Sequence, residues 1–181
     1  MLALLEQLPA ELRQRDFQAA LVGELPAAAV EALAASRGWS LSSSTSRSLW
    51  LKRQGLVLQC CWGRYPTLLQ SAQVVVSMAG TASEQAVGLG KPVLQLAGHG
   101  PQFTVGFAEA QRRLLGPAVH CAQGEVDDPA TLMASSELLV QLLQLPAEEL
   151  QRYSQEGDQR LGQAGGTERM ARAIVETLQQ R

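Results

Sequence analysis

Aromatic residues are scarce, only 4% of the 181 positions. Any core must therefore be assembled from Leu, Val and Ala, which dominate a hydrophobic share of 46%. An excess of one charge is missing too: 15 Lys and Arg stand against 17 Asp and Glu, a formal net charge of −2. With no clustered basic run either, the chain offers no field for nucleic acid. It lacks any uninterrupted apolar stretch of about 18 residues, which excludes a transmembrane helix. The start, Met1-Leu-Ala-Leu-Leu-Glu-Gln-Leu-Pro, has no basic leader and carries Glu6 inside its apolar part, so it does not read as a signal peptide.

Cysteine is equally sparse. Cys60, Cys61 and Cys121 have no metal-ligand spacing, and an odd, small set fits a reducing cytosol better than a disulfide framework. The expected location is cytoplasmic, with neither a metal nor a cofactor. The adjacent pair Cys60-Cys61 reads as a redox switch or, more simply, as two small residues at a strand end.

What is present is an alternation of apolar and amphipathic runs, of a length that suits one domain over residues 1–181. Leu2, Leu4, Leu5, Leu8 and Leu12 have helical spacing, and Phe17–Val22 reads as a strand ending at Gly23. Pro26 to Ser36 is an Ala-rich helix with Gly38 just past its end. Ser40–Ser48 reads as a loop or frayed edge. Leu49–Lys52 and Leu56–Cys60 form strands around Gln54-Gly55. A short helix over Tyr65–Ala72 leads into the strand Val74–Val76, and Val93 to Leu96 is a further apolar run. Helices follow over about Phe107–Leu115, Pro129–Leu143, Ala147–Gln159 and Thr167–Gln180, with a last short strand at Val119–Cys121. Strands alternating with helices imply crossovers and an α/β, three-layer fold. Its mainly parallel sheet is expected to have about five or six strands, with Val74–Val76 beside Val93–Leu96 near the middle.

The most informative segment is residues 73–92. A β-branched run stops at the small residues Ser77, Ala79 and Gly80; a helix opens at Thr81 or Ala82 with Glu84 in its first turn; Gly90 and Pro92 close the unit. A strand, a glycine turn and a bare helix N-terminus suit an anionic group such as phosphate, and a carboxylate one turn in can accept from a pair of hydroxyls. The same residues also describe an ordinary tight turn with a solvated carboxylate complementing the dipole. In open parallel sheets ligands sit at the carboxyl ends of the strands, and both the 77–82 and 97–104 loops lie there. His99 between two glycines fits an exposed loop residue as well as a ligand contact, and Gln102 and Gln111 also fit plain surface amides. His120, ending a strand, reads as structural, and Asp127-Asp128 before Pro129 reads as a helix cap. No second group at recognisable spacing makes a base–orienter pair with His99.

Val74-Val-Val-Ser-Met-Ala-Gly-Thr-Ala-Ser-Glu-Gln-Ala-Val-Gly-Leu-Gly-Lys-Pro-Val, then Gly100-Pro-Gln-Phe-Thr and Phe107-Ala-Glu-Ala-Gln-Arg-Arg-Leu-Leu-Gly, resembles the donor half of GT-B glycosyltransferases. It is most similar to the cyanobacterial proteins related to lipid-A-disaccharide synthase. Gly165-Gly-Thr-Glu-Arg-Met-Ala looks like the closing helix of that group. The resemblance implies a Rossmann-like domain that binds a UDP-sugar of the UDP-N-acetylglucosamine kind. It implies that Gly80 and Thr81, in the turn with Ala79, hold the diphosphate, that Glu84 takes the ribose hydroxyls, and that Pro101, Gln102 and Phe103 lie near the sugar or the phosphates. His99 is the side chain to test for contact with the same group. By position alone, the base pocket falls at about Cys61–Pro66.

The departures from that family are equally plain. The acceptor half, which comes first and usually supplies the general base, is absent, and so is the strand that normally opens the donor half. The chain is therefore expected to be inactive alone and to need an acceptor-domain partner. Unpaired sheet edges favour a homo-oligomer, and peripheral membrane association fits the family. The alternatives are a truncated domain kept as an interaction module and one half of an epimerase-like UDP-sugar enzyme.

Overall fold

The structure is a computed structural model that describes residues 1–100, 104–162 and 164–179. Helices and strands alternate along it: α1 (Leu2–Glu6), a 3-10 turn (Ala10–Leu12), β1 (Phe17–Leu21), α2 (Ala27–Ser36), β2 (Ser40–Ser44), β3 (Ser48–Arg53), β4 (Leu56–Trp62) and α3 (Tyr65–Ser71). The second half runs β5 (Val75–Ser77), α4 (Gly80–Gly88), β6 (Val93–Gln95), α5 (Val105–Leu115), β7 (Val119–His120), α6 (Pro129–Leu143), α7 (Ala147–Leu161) and α8 (Gly166–Gln179). Among the described residues, no helix is long and apolar enough to cross a membrane.

Local chemistry accounts for most boundaries. Pro9 interrupts the first helical pattern, so the expected single helix becomes α1 plus a 3-10 turn. Arg53 faces Leu56 across a two-residue hairpin in which Gln54 (φ 46°) and Gly55 (φ 85°) both take left-handed values, the requirement of a type I′ turn. Thr104 caps α5 through Phe107 N at 3.1 Å, and Asp128 caps α6 through Ala130 N at 2.9 Å. Ser40–Ser44 is a paired strand with every residue exposed, antiparallel to β3 with a register shift between Leu41 and Ser43.

The chain is α/β, but it does not form one five- or six-stranded parallel sheet. Among the described residues there are two sheets. The first is mixed and four-stranded, in the order β1-β4-β3-β2, with only β1 and β4 parallel; the second is parallel and three-stranded, β5-β6-β7. The expected neighbours β5 and β6 do pair, Val75 with Val93 and Ser77 with Gln95. β1 and β5 are each an end strand of their sheet. Burial follows the pairing. Val93 and Leu94 in the middle of the second sheet are wholly buried, whereas Phe17, Ala19, Leu21, Val75 and Val76 on the two free edges are only half-buried.

One apolar cluster nevertheless runs beneath both sheets. Leu4, Leu5, Leu8 and Leu12 pack with Leu49, Leu51, Leu56 and Leu58 of the mixed sheet, with Leu94 of the parallel one, and with Leu139 and Leu142 of α6. On the other face of β5-β6-β7 a second cluster joins Ala86 and Val87 of α4, Val93, Leu115 of α5, Val119 and Tyr153 of α7. The parallel sheet is thus covered on both faces. Helix α8 is different: none of its residues is buried, and Met170, Ile174, Val175 and Leu178 form an exposed apolar stripe.

Two contacts fix this architecture sharply enough to test. α4 and α7 cross at Gly157, where an added Cβ would run into the Val87 carbonyl oxygen. Gly157→Ala is expected to destabilise the fold by about 1–3 kcal/mol through this overpacking, measured as a lower urea midpoint. The second contact is Glu6, which bonds Arg37 Nη2 and Trp39 Nε1, both at 2.8 Å, with Arg53 at 3.5 Å. The Arg37 hydrogen bond above all holds the Glu6 carboxyl below its usual range, against the opposing effect of burial. A folded pKa lowered in this way contributes stability above the unfolded pKa and loses it as pH falls through the folded value. Glu6→Gln should cost about 1–3 kcal/mol at neutral pH, and urea titrations in progressively acid buffer should show the gap to wild type closing.

Candidate functional site

The end of β5 is shaped by one hydroxyl. Ser77 Oγ accepts from Ala79 N and donates to Ala79 O, each at 3.1 Å, folding the chain sharply at the carboxyl edge of the parallel sheet. Helix α4 then opens at Gly80 with Ala79 in the cap position, extended at φ −118° and ψ 139°. The Ala79 carbonyl accepts from Ser83 N at 3.1 Å and Ser83 Oγ at 3.0 Å. Alanine has no side-chain oxygen to return, so the first-turn N–H groups of α4 have no side-chain cap. They combine with the helix dipole into a donor-rich, positive end. Ala79 and Thr81 are exposed there and Gly80 is half-buried.

The helix begins earlier than expected, at Gly80 rather than at Thr81 or Ala82, so Glu84 is its fifth residue and not part of its first turn. The half-buried Glu84 makes no hydrogen bond or ion pair among the described residues, which leaves its carboxylate available one turn below the bare N-terminus. Gly80 has an ordinary φ; what its missing side chain provides is room. A Cβ there would stand 3.4 Å from the Phe107 ring and 3.5 Å from the Gln111 amide nitrogen, so α5 comes close to the start of α4 on that side.

His99, in the loop after β6, lies with Nε2 2.7 Å from Asp127 Oδ2, both side chains about four-fifths exposed (78% and 81%). This corrects the sequence reading, which found no partner for His99 and assigned Asp127 and Asp128 together to a cap. Asp128 alone caps α6. Asp127 belongs to the segment after β7, 28 residues from His99, and only the adjacency of β6 and β7 brings the two together. Pro101, Gln102 and Phe103, also expected near the ligand, lie outside the described residues.

Two amides lie in the same part of the fold: Gln95, which the sequence did not single out, and Gln111, which it weighed. Gln95 ends β6 at 2% exposure with its Oε1 unpartnered, and Gln111 of α5, read from sequence as a plain surface amide, also has a buried and unpartnered Oε1. The available signal was an amide inside the otherwise apolar run Val93 to Leu96.

The remaining candidates are structural. His120 is half-buried, with its Nε2 3.1 Å from the Tyr153 hydroxyl, and burial lowers its pKa. Cys60 and Cys61 are both buried in β4, and burial pushes the Cys60 thiol up to about 11, so it stays protonated and unreactive. In the stretch 61–66 at the end of β4, Trp62 donates its indole N–H to the Leu25 carbonyl at 2.9 Å, and the Tyr65 hydroxyl is buried without a partner. A shallow concavity of about 580 Å³ lies elsewhere, under the β3–β4 hairpin, lined by Gly38, Lys52 and Arg53 among others. Its Arg53 guanidinium faces Glu6. Among the described residues, no group of three or more His, Cys, Asp and Glu is placed to hold a metal ion.

The chain was compared with protein families, with characterised proteins and with solved structures, and it matches none of the three.

Proposed function

We propose that the chain is the nucleotide-sugar-binding half of a glycosyltransferase, of the Rossmann-like GT-B kind related to lipid-A-disaccharide synthase. The observation that carries this reading is the bare N-terminus of α4, where Ala79 replaces a capping side chain at the carboxyl edge of a parallel sheet. The diphosphate of a UDP-sugar sits on the N–H groups of Gly80 and Thr81, and Glu84 accepts from the ribose hydroxyls. Departing charge on the UDP is offset by these backbone dipoles without a metal. His99, oriented by Asp127, contacts the sugar or diphosphate from the neighbouring loop.

The strand directions support the Rossmann-like part of the reading. The β1–β4 pair is parallel and so is the whole of β5-β6-β7, the strand direction that a doubly wound sheet requires. Arg15 Nη1 donates to Gln73 Oε1 at 3.1 Å just before β1 and β5, and side chains from both strands enter the same cluster. The apolar stripe of α8 gives an acceptor module, or a second copy of the chain, a surface to cover.

Calorimetry with UDP tests the site. Glu84→Ala should lose about 1.5–3 kcal/mol of binding, the worth of a hydrogen bond to a charged group. Gly80→Val should weaken binding by a different route, pressing a branched side chain onto Phe107 and Gln111. Unchanged UDP affinity in both variants would remove the assignment. The isolated chain is further expected to give no transfer product with UDP-N-acetylglucosamine and lipid acceptors. Half a cleft cannot hold two reactants together, and that positioning supplies about 7–11 kcal/mol of a barrier. Robust transfer by the purified chain would overturn the half-enzyme reading.

A further inference from the structure

We propose that the outward face of the mixed sheet carries a second binding site, for a neutral oligosaccharide that stacks on Trp50. Strand register sets the site up. Gln18 of β1 pairs with Gln59 of β4, Gln59 with Trp50 of β3, and Trp50 with Ser43 of β2, so one row of side chains crosses the whole sheet on one face. The alternate residues Phe17, Leu51 and Leu58 face the apolar cluster. The row faces away from it, with Gln18 and Ser43 exposed and Trp50 and Gln59 half-buried. A concavity of about 230 Å³ opens there, lined by Asp16, Gln18, Trp50 and Gln59 together with Arg13 and Arg15. It shares Gly55 and Val57 with the larger concavity under the hairpin, so a ligand longer than one ring has room to continue.

The groups left free in this concavity match a polyhydroxylated ring. The indole N–H groups of Trp39 and Trp62 are both spent inside the protein, on Glu6 and on the Leu25 carbonyl, whereas the Trp50 indole makes no hydrogen bond among the described residues. A half-buried indole offers a flat apolar surface with a donor at its rim, and the C–H face of a pyranose packs on such a surface. Gln18 Nε2 donates to Gln59 Oε1 at 3.3 Å, which leaves Gln18 Oε1 to accept and the Gln59 amide to donate. A hydroxyl both gives and takes hydrogen bonds, so a mixed set of this kind suits a sugar. Both guanidinium groups of the lining are already engaged, Arg13 with the Leu8 and Gln54 carbonyls and Arg15 with Gln73. Asp16 is the one ionised side chain of the lining without a partner among the described residues. A carboxylate accepts from hydroxyls and repels phosphate, which favours the sugar over a nucleotide.

Calorimetry with maltohexaose, cellohexaose and hexa-N-acetylchitohexaose, and with UMP as a stacking anion, tests the site. The indole N–H resonances, assigned by the signal lost in Trp50→Phe, locate it. At least one of these sugars is expected to bind saturably and to move the Trp50 resonance while those of Trp39 and Trp62 stay in place. Trp50→Ala should weaken that binding about tenfold, as truncation of an aromatic anchor does. Asp16→Asn, at an exposed position, should weaken it several-fold with an unchanged melting temperature. Should Trp50→Ala not fold, Asp16→Asn and Gln18→Ala carry the test, and unchanged sugar affinity in both overturns the proposal. It is equally overturned if none of the sugars binds, if binding leaves the Trp50 resonance in place, or if UMP moves that resonance as strongly as the sugars do. Glu84→Ala should leave the sugar affinity as in wild type. A loss there would put the sugar at the α4 end instead, so this site and the diphosphate site fail separately.

Discussion

The architecture depends on one shared apolar cluster. Two sheets with no backbone hydrogen bond between them would ordinarily be free to separate, yet Leu94 of the parallel sheet and Leu49, Leu51, Leu56 and Leu58 of the mixed sheet are buried against the same leucines of α1, the 3-10 turn and α6. Burial at this scale is worth about 1.5–3 kcal/mol per side chain, and four such leucines of the mixed sheet share it with Leu94 of the parallel one. The aromatic-poor composition is visible in the result. The cluster is built almost entirely from leucine, with Trp39 the one fully buried aromatic within it and Phe17 and Trp62 packed at its margin.

The same cluster explains why the carboxyl edge of the parallel sheet is free to be irregular. β5 and β6 are three residues each and β7 only two, too short to be stable by pairing alone. They are clamped by α4, α5 and α7 on one face and by α6 on the other, so the strand ends need not be optimised for stability. An alanine in the cap position of α4, where Ser or Asp would stabilise the helix by about 1 kcal/mol, and an amide with an unpartnered oxygen at the end of β6 are both affordable on such a support. Local sequence rules are broken where the global packing can carry the loss, and such places tend to be functional.

Much of this was legible in advance. Helices over 129–143 and 27–36, the Gln54-Gly55 hairpin and the pairing of β5 with β6 followed from spacing, turn chemistry and β-branched runs. What was not legible depends on tertiary adjacency. The alternation of elements fits one sheet or two equally well, because it carries no information about which strand edges find partners. The helix start at Gly80 was displaced by the Ser77 turn, whose hydrogen bonds satisfy Ala79 and let the next residue begin the helix. The His99–Asp127 pair spans 28 residues and exists only because β6 and β7 are neighbours. Gln111 looked like a surface amide because its apolar cover, Phe107 and the turn at Gly80, comes partly from another helix.

The unpacked helix α8 has a consequence of its own. A lone helix of 14 residues is marginal in water, since nucleation is costly and no tertiary burial offsets it. Its order is therefore more open to small free energies than that of the helices held by burial. A surface that covered Met170, Ile174, Val175 and Leu178 would at the same time set the helical population of the whole segment. Association at this face and folding of the last helix would then be a single thermodynamic event, with the affinity reduced by the ordering cost and with helicity itself a direct measure of occupancy.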